Sequence, residues 1–452
     1  MSIQHSSVVA APIADVFAWH ARPGAFTRLA PPWQPISLRA EADSLENGTA
    51  VLQLPGGLSW VSRHDPEGYS PPHRFVDELT AAGPSSLPVA ALLNWRHSHE
   101  FAEVGPTQTR VTDRVTTPIG SRALRPMFRY RHRQLAEDLA AHRQATKHGM
   151  TPMTIAVTGS SGLVGSALCA FLTTGGHTVI RLVRREVHGP LEREWNPLAP
   201  SATLLDDIDA VVHLAGASIA GRFTTRHKRA IRDSRVEPTR LLAGVAAASR
   251  SGPKVFVSSS AIGIYGADRG EENLSENSSH GDDFLARVVS DWEDATSPAR
   301  AAGIRVAAIR TGIVQSAHGG SLKIYRPLFT LGVGGRIAGG HQWVSWIDID
   351  DLLDIYNRAL FDDRVAGPVN AVSPHPVRNA EYARTLARVL RRPAIVPVPA
   401  LGPRMILGAE GSRNLVEGGQ FVNPAALAAI NHTFRREDLE SSLRHQLGRY
   451  LR

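Results

Sequence analysis

Apolar and polar positions follow two different patterns along this chain, one up to about residue 146 and another from residue 153. In the first part, short segments of alternating apolar and polar residues are separated by turns that contain Pro and Gly. Such alternation predicts the strands of an antiparallel sheet. The predicted strands are residues 6–10, 50–54, 75–79, 93–101 and 109–115.

Two stretches of the first part have helical spacing instead. One is led by a proline and covers residues 13–18. The other covers residues 122–143, where apolar side chains such as Leu124 and Phe128 lie on one helical face. We therefore predict an α+β domain over residues 1–146 that ends in a long helix.

From residue 153 onward, apolar runs alternate with helical segments, which is typical of a parallel, doubly wound sheet. After residue 312 the pattern loosens into Gly-rich and Pro-rich stretches, and helices are predicted near residues 379–390 and 424–430. The apolar runs are residues 154–158, 178–183, 210–214, 255–259 and 305–309. We predict a linker at 147–152 and a second domain at 153–452, with a portion that covers the substrate from about 313 to 452.

Composition supports a soluble globular protein of two domains, since 42% of the 452 residues are hydrophobic and 20% are charged. The chain has no run of about 18 apolar residues and no basic or apolar signal at its N-terminus. We expect no membrane span and a cytoplasmic location. The single cysteine, Cys169, excludes an internal disulfide.

The net charge of +8 and the pI near 10.0 raise the question of nucleic-acid binding. All but four of the 50 basic residues are arginine, and heavy use of Arg, Ala, Gly and Pro is also what a G+C-rich genome produces. The densest basic stretch, residues 122–133, fits a solvated helix face. Nucleic acid is therefore not the expected partner.

A glycine turn follows the first apolar run of the second part and precedes a helical segment. A strand, a glycine turn and a helix in that order direct backbone N–H groups and the positive helix end at an anion. The turn therefore predicts a site for the phosphates of a nucleotide. Its residues are Thr158, Gly159, Ser160, Ser161, Gly162, Leu163, Val164 and Gly165.

The end of the second strand indicates which dinucleotide is bound. NAD-specific sites have an acidic residue there, which holds the ribose hydroxyls. This chain has Arg184 and Arg185 instead, and guanidinium groups bind a 2′-phosphate. We predict NADP(H) as the cofactor.

Three further segments resemble the short-chain dehydrogenase superfamily in its extended, epimerase-like form. Residues 213–216 (H-L-A-G) are similar to the family's N-x-A-G, with His213 in place of Asn. Residues 258–266 (S-S-S-A-I-G-I-Y-G) resemble its serine-bearing turn, which implies that Ser260 binds the reacting oxygen. The resemblance also implies that the cofactor lies against Leu214, Ala215, Gly216, Ser258 and Arg310.

The resemblance narrows to the NAD(P)-dependent epimerase-like family sometimes labelled SulA-type cell-division inhibitors. It covers about residues 153–450, and its most specific segment is W-x-S-W-I-x-I-D-D at residues 343–351. The family implies an α/β Rossmann fold with a doubly wound parallel sheet and a small C-terminal substrate domain. Trp346 in this segment is a predicted substrate-binding residue.

The superfamily's Tyr-x-x-x-Lys pair, which carries out the proton transfer, is missing. Counting from Ser260, the pair falls at Leu285 and Val289, and neither side chain carries a proton. Two explanations stay open. Either another group acts, with Tyr265, Asp291 and Glu293 as candidates, or the nucleotide is bound without turnover. We assign Ser260 and Tyr265 as catalytic candidates, and Tyr265 also as a substrate-wall residue.

Arg235 stands close to the position of a superfamily asparagine. An arginine cannot accept a proton at physiological pH, but it can bind an anionic substrate group. An ion pair with Glu237 or Asp233 is the equally weighted alternative. Three carboxylates, Asp348, Asp350 and Asp351, are predicted to cap a helix rather than to bind metal.

The first domain resembles the START or Bet v 1-like helix-grip proteins, also called polyketide cyclase-like or SRPBCC. The resemblance rests on residues 11–17 (A-P-I-A-D-V-F) and 128–135 (F-R-Y-R-H-R-Q-L), and it implies an apolar ligand cavity. Period-two spacing puts His97 and His99 on one strand face. They could bind a metal or line a pocket, but we favour ordinary polar members of a sheet face and expect no metal.

The sequence thus predicts an NADP-dependent oxidoreductase or epimerase-like enzyme that acts on an unidentified small molecule. The alternative is a non-catalytic NADP-binding sensor, coupled to a first domain that binds an apolar ligand. Whether the protein forms a homo-oligomer stays open.

Overall fold

The computed structural model describes residues 2–394, 397–399 and 401–450. The chain divides into two compact units at Lys147. The first unit is the chain up to Lys147 with Cys169–His177 and the segment from His445 onward, and the second is His148–Leu168 with Thr178–Arg444. The predicted linker lies beside this division, and the predicted domain bounds stay predictions.

The first unit contains an antiparallel sheet of seven strands in the order β1-β7-β6-β5-β4-β3-β2. The strands are β1 (Ser2–Val9), β2 (Ser37–Ala40), β3 (Thr49–Gln53), β4 (Ser59–His64), β5 (Arg74–Thr80), β6 (Arg96–Gly105) and β7 (Gln108–Thr116). The helices are α1 (Ile13–Ala21), α2 (Ala25–Leu29), α3 (Leu87–Leu93) and α4 (Ser121–Lys147). The predicted antiparallel sheet is confirmed.

The long helix α4 packs its apolar stripe against the sheet. Phe128 lies in a buried cluster with Trp95 and Val115, and Leu135 lies in a second cluster with Phe101. These two helix residues are seven positions apart, so they share one face of the helix. Burial of this stripe therefore holds the helix along the inner face of the sheet.

The second unit contains a parallel sheet of seven strands. Its strands, with those of three small two-stranded sheets, are β8 (Thr154–Thr158), β9 (Thr178–Val183), β10 (Glu192–Glu194), β11 (Ala210–His213), β12 (Val255–Ala261), β13 (Asn273–Leu274), β14 (Arg305–Thr311), β15 (Ile313–Gln315), β16 (Trp343–Val344), β17 (Trp346–Asp348), β18 (Gly367–Ala371), β19 (Val377–Arg378) and β20 (Phe421–Val422).

The remaining helices follow α4 along the chain, and the first of them comes directly after the glycine turn. They are α5 (Leu163–Thr174), α6 (Thr225–Asp233), α7 (Val236–Ala248), α8 (Phe284–Asp294), α9 (Ser297–Ala301), α10 (Gly320–Thr330), α11 (Ile349–Phe361), α12 (Asn379–Leu390), α13 (Leu401–Ser412), α14 (Ala425–Ala429) and α15 (Leu439–Leu447). No helix in the described part of the chain is long and apolar enough to cross a membrane.

The order of the main sheet is β10-β9-β8-β11-β12-β14-β18, and all its pairs are parallel. The strand order reverses between β8 and β11. In open α/β sheets, ligands bind beyond the carboxyl ends of the strands at such a reversal. The glycine turn follows β8 and therefore lies at this point.

The five predicted apolar runs are all strands of this sheet, but two edge strands were not predicted. β10 is a short polar segment, and β18 begins with Gly367-Pro368, which is typical of a turn. An edge strand tolerates a proline, which cannot donate to a ladder, because one side of the strand is unpaired. Because β18 pairs with β14, residues 367–371 of the segment from 313 to 452 belong to the main sheet.

Candidate functional site

Two glycines give the turn after β8 its shape. Gly159 has a φ of 64°, in the left-handed region, and a Cβ there would lie 2.9 Å from the carbonyl carbon of Leu214. A Cβ on Gly165 would overlap the carbonyl oxygen of Gly159. The first N–H groups of α5 have no partner within the helix, so they are available to an anion. Both glycines are therefore required by the backbone of the turn.

The hydroxyl of Thr158 joins the end of β8 to the end of β11. Its Oγ1 accepts hydrogen bonds from the backbone N–H groups of Leu214 (3.0 Å) and Ala215 (3.2 Å). With both lone pairs used, the hydroxyl donates its proton to Nδ1 of His213 at 2.8 Å. Leu214 and Ala215, two predicted cofactor residues, are thus held beside the glycine turn.

The other ring nitrogen of His213 continues this network to α7. Thr239 Oγ1 donates to the carbonyl of Arg235 (2.6 Å) and accepts from the indole N–H of Trp292 (3.0 Å). Its second lone pair accepts from His213 Nε2 at 2.9 Å, so Nε2 carries the proton. Burial lowers the pKa of His213 to about 4. The ring is therefore neutral at pH 7, with its tautomer fixed.

The two arginines after β9 differ in what they contact. Arg185 makes two hydrogen bonds with the carboxylate of Glu192, at 2.6 and 2.9 Å. Arg184 is exposed and has no hydrogen bond or ion pair with any residue that the structure describes. Of the two predicted phosphate ligands, Arg184 has the available guanidinium.

A cavity of about 290 Å³ lies at the carboxyl end of β12. Leu285 and Val289 of α8 line it, as do Ser260 and Arg235. The two positions expected for the proton-transfer pair thus face the cavity, but they carry apolar side chains.

The predicted catalytic Ser260 is engaged with a buried ion pair. Its hydroxyl donates to Glu293 Oε1 at 2.6 Å. Arg310 donates to both oxygens of Glu293, each at 2.9 Å, and is 2% exposed. Among the candidate substitutes for the missing pair, Glu293 is therefore hydrogen-bonded to the cavity serine, whereas Asp291 pairs with Arg232 at 3.0 Å. Arg310, which was predicted to bind the cofactor, instead forms an ion pair with Glu293.

Tyr265 and Trp346 are both fully buried, and neither lines the cavity. The Tyr265 hydroxyl donates to Asn370 Oδ1 at 2.7 Å and accepts from Arg310 at 3.0 Å, and burial raises its pKa. The Trp346 indole N–H donates to the carbonyl of His375 at 3.0 Å. These contacts give both side chains structural roles and do not favour the predicted catalytic and substrate-binding ones.

Trp343 lines the cavity and was missed as a site residue. It stacks on Phe421 with ring centroids 4.6 Å apart, and the Arg378 guanidinium lies 3.8 Å from its ring centroid. The signal was present in the sequence, because Trp343 and Ser345 alternate with the buried Val344. The substrate-binding role of Trp346, the second tryptophan of the W-x-S-W segment, stays a prediction.

Arg235 has no carboxylate partner in the described part of the chain. It donates to the carbonyls of Ala217 (2.9 Å) and Ile231 (3.1 Å), and its guanidinium lies 5.2 Å from the ring centroid of Trp292. Burial lowers its pKa to about 10. The alternative ion pairs with Glu237 and Asp233 are not formed. Arg235 therefore lines the cavity as a partly buried cation.

Two further predicted cofactor residues, Gly216 and Ser258, lie beside the carboxyl end of β11. Gly216 is exposed, and the guanidinium carbon of Arg235 lies 3.0 Å from where its Cβ would be. Ser258 is 1% exposed and pairs with His213 in register. Within the glycine turn, Ser161 and Gly162 are exposed and open to a ligand.

Of the three carboxylates predicted to cap a helix, Asp348 does so. Asp348 is the N-cap of α11, since its Oδ1 accepts from the N–H of Asp350 at 2.9 Å. Burial raises the pKa of Asp348 to about 6. Asp351 accepts from the backbone N–H groups of Arg435 (2.5 Å) and Arg436 (3.2 Å). This cluster holds α11 to the segment that precedes α15.

The fold and the turn at the strand reversal define a dinucleotide-binding protein, and comparison with known proteins gives the family. The NAD dependent epimerase/dehydratase family matches residues 155–371, and a domain of unknown function, DUF1731, matches residues 398–446. The epimerase family protein Mb2239 of Mycobacterium bovis is 38% identical over 299 residues, covering 65% of this chain and 97% of that relative. The chain therefore belongs to the NAD-dependent epimerase/dehydratase family.

Solved structures are also similar to this chain. The nucleoside-diphosphate sugar epimerase from Corynebacterium glutamicum is 43% identical with a TM-score of 0.85, covering 99% of this chain and 90% of that one. The human epimerase family protein SDR39U1, solved with NADPH, is 30% identical with a TM-score of 0.60, covering 65% of this chain and 99% of that one. The protein is thus an NAD(P)-binding, epimerase-like member of the family with a Rossmann-like fold.

Proposed function

We propose that this protein is an NADP(H)-dependent oxidoreductase or epimerase-like enzyme that acts on an anionic small molecule in the 290 Å³ cavity. The observation that carries the cofactor assignment is the unpaired, exposed Arg184 at the end of β9. A free guanidinium there favours a 2′-phosphate, where an acidic side chain would repel it. The human relative was solved with the same type of cofactor, NADPH.

In this proposal, the N–H groups of the turn from Gly159 to Gly165 bind the pyrophosphate. Leu214, Ala215 and Gly216 give the cofactor a flat surface at the sheet edge. The nicotinamide supplies or accepts a hydride when it is bound.

The substrate side of the proposal rests on Ser260 and Arg235. Ser260 would direct its hydroxyl from Glu293 to the reacting oxygen, and Arg235 would bind an anionic group of the substrate. Binding of an anionic group would stabilise the Arg235 cation, which burial disfavours and which lacks a carboxylate partner among the described residues. Nucleoside-diphosphate sugars, the substrate class named for the Corynebacterium glutamicum relative, carry such anionic groups.

A second candidate function is a sensor that binds NADP(H) without turnover. It is favoured by Leu285 and Val289, which line the cavity at the positions of the usual proton-transfer pair. In this alternative, nucleotide binding is coupled to an apolar ligand in the first unit. The helix-grip, START-like nature of that unit, the SulA-type label, the cytoplasmic location and a homo-oligomer stay predictions.

The cofactor proposal is tested by titrating the full chain with NADPH and NADH, following the nicotinamide fluorescence. We expect Arg184→Ala to weaken NADPH binding by about 10- to 100-fold, the loss of one or two charge-assisted hydrogen bonds, and to leave NADH binding unchanged. Arg185→Ala is the matched control and should have a smaller effect, because Glu192 already holds that guanidinium. Equal affinities of the wild type for both nucleotides would refute NADP specificity.

Turnover is tested with NADP(H) and a panel of nucleoside-diphosphate sugars, measured by nicotinamide absorbance and by NMR of the sugar. For an enzyme, we expect Ser260→Ala to lower kcat at least about 100-fold without changing NADPH affinity. The double substitution Leu285→Tyr with Val289→Lys, which rebuilds the missing pair, should raise kcat. A wild type that binds NADPH but turns over none of the panel, while the double variant does, would favour the sensor.

A further inference from the structure

The first unit encloses its own cavity of about 280 Å³, which the epimerase family match does not include. Most of its wall is apolar, with Leu52, Trp60 and Trp95 among the lining side chains. One part of the wall differs, since Asp77, His97 and His99 all line the cavity there. Other polar side chains, such as Glu41, His64 and Arg131, also line the cavity, but this part of its wall brings two imidazoles and a carboxylate together.

The register of three neighbouring strands brings these side chains together. Asp77 on β5 pairs with His97 on β6, and His99 two residues later pairs with Asp113 on β7. Because side chains of paired residues and of residues two apart point to the same face, all four lie on the inner face of the sheet. The His97 and His99 side chains are each 5% exposed.

The distances within this group are those of a metal site. Asp77 Oδ2 lies 3.6 Å from His97 Nδ1 and 3.5 Å from His99 Nε2. One ligand atom from each of the three residues lies within 4.8 Å of the others. Ligands bonded at about 2.0–2.1 Å to a tetrahedral ion lie about 3.4 Å apart. The two contacts are too long for strong hydrogen bonds but suit a shared ion.

Asp113 orients both histidines from the opposite side. Its Oδ1 accepts from His97 Nε2 at 3.0 Å and from His99 Nδ1 at 2.8 Å. Its Oδ2 accepts from His132 Nε2 at 2.9 Å. Metal-binding histidines usually donate their other N–H to a carboxylate in this way. In the neutral rings, this arrangement leaves the lone pairs of His97 Nδ1 and His99 Nε2 directed at Asp77.

The negative charges of the two carboxylates also favour a bound cation. Asp77 and Asp113 are two carboxylates with side chains only 16% and 4% exposed, and buried carboxylates require compensation. Ser62 donates to Asp77 Oδ1 at 2.5 Å, which supports its ionised form. Arg131 lines the same cavity and offsets part of this charge, and a divalent ion would balance the rest.

We propose that Asp77, His97 and His99 bind a divalent transition-metal ion of the zinc class. Because all three line the cavity, the remaining coordination positions of the ion face its interior. Two imidazoles and one carboxylate are a ligand set that zinc, cobalt and iron(II) accept. The ligand of this cavity is then an apolar molecule with an oxygen donor that completes the coordination.

The test uses the full chain after dialysis against a chelator, titrated with Zn²⁺ by calorimetry and with Co²⁺ by visible absorption. We expect one equivalent of metal and Co²⁺ bands of a four- or five-coordinate site with nitrogen ligands. Asp77→Asn and His99→Gln should each weaken binding at least about 100-fold, and Asp113→Asn by about 10- to 100-fold. His64→Gln is the matched control, because His64 lines the same cavity outside the group of three.

Absence of metal binding by the wild type decides against the proposal even where a variant fails to fold, as judged by circular dichroism. A folded wild type that takes up well under one equivalent of both ions would overturn it. Folded Asp77→Asn and His99→Gln proteins that bind as tightly as the wild type would also overturn it, as would an equal loss in His64→Gln. In the last two cases the metal binds at another place on the chain.

Discussion

His213 connects three chain segments around the nucleotide turn. One ring nitrogen accepts from Thr158 at the end of β8, and the other donates to Thr239 on α7. Each of these hydroxyls has its other hydrogen-bonding positions filled by backbone groups or by Trp292. A side chain with one donor and one acceptor on opposite sides is therefore required here, and neutral histidine provides both.

We expect His213→Leu to lower the free energy of unfolding by about 2–4 kcal/mol, because it leaves the buried Thr158 hydroxyl proton without an acceptor and removes a hydrogen bond to Thr239. Urea denaturation measures this change. His188→Leu, at an exposed histidine of the same unit, should change stability by less than about 0.5 kcal/mol. A His213→Leu protein as stable as the wild type would show that the network contributes nothing.

At the scale of elements, the strand β8, its glycine turn and α5 form the nucleotide-binding element. Gly165 allows the first turn of α5 to approach the carbonyl of Gly159, and Gly162 leaves the backbone open to solvent. Gly165 is therefore needed for the packing of the helix on the turn, and Gly162 for the access of a nucleotide to the backbone.

Substituting alanine at each glycine separates these purposes. Gly165→Ala should lower the unfolding free energy by about 1–3 kcal/mol, because its Cβ overlaps backbone that cannot move away. At Gly162 the Cβ lies 3.2 Å from the Gly159 carbonyl oxygen, so Gly162→Ala should cost less stability but weaken NADPH binding. Thermal unfolding and NADPH titration of both variants check this. Equal stability losses would contradict the assignment.

For the whole molecule, buried histidines tie stability to pH in both units. Burial lowers the pKa of His20 in the first unit to about 3, and that of His213 in the second to about 4. Unfolding returns both to about 6.5, so the unfolded chain binds protons that the folded chain does not. Their contribution is complete above pH 6.5 and is lost as the pH falls toward 4. The raised pKa of Asp348, about 6, acts in the opposite direction.

We expect the unfolding free energy to fall between pH 7 and pH 5, by about 2 kcal/mol for each of the two histidines, with about 1 kcal/mol regained through Asp348. Urea denaturation at several pH values measures this slope. A folded His213→Asn variant should show a shallower slope in the second unit. A stability that rises steadily as the pH drops to 5 would contradict the prediction.

Some positions of the site could be predicted from the sequence, and others could not. Counting from Ser260 by the superfamily's spacing led to Leu285 and Val289, and both line the cavity because residues four apart lie on one helix face. The same counting could not tell that Tyr265 and Trp346 turn into the core while Trp343 faces the cavity. Which side of a short segment is buried depends on the elements that pack against it.

By itself, the sequence determined the local patterns: an antiparallel part, a parallel part, the glycine turn between a strand and a helix, and the absence of the proton-transfer pair. These follow from the period of apolar residues and from fixed spacings along one element. Only the tertiary structure decided which arginine is free to bind a phosphate, and that Asp77 and Asp113 surround His97 and His99. Such contacts join residues far apart in the chain, and strand register and side-chain packing, rather than local spacing, bring them together.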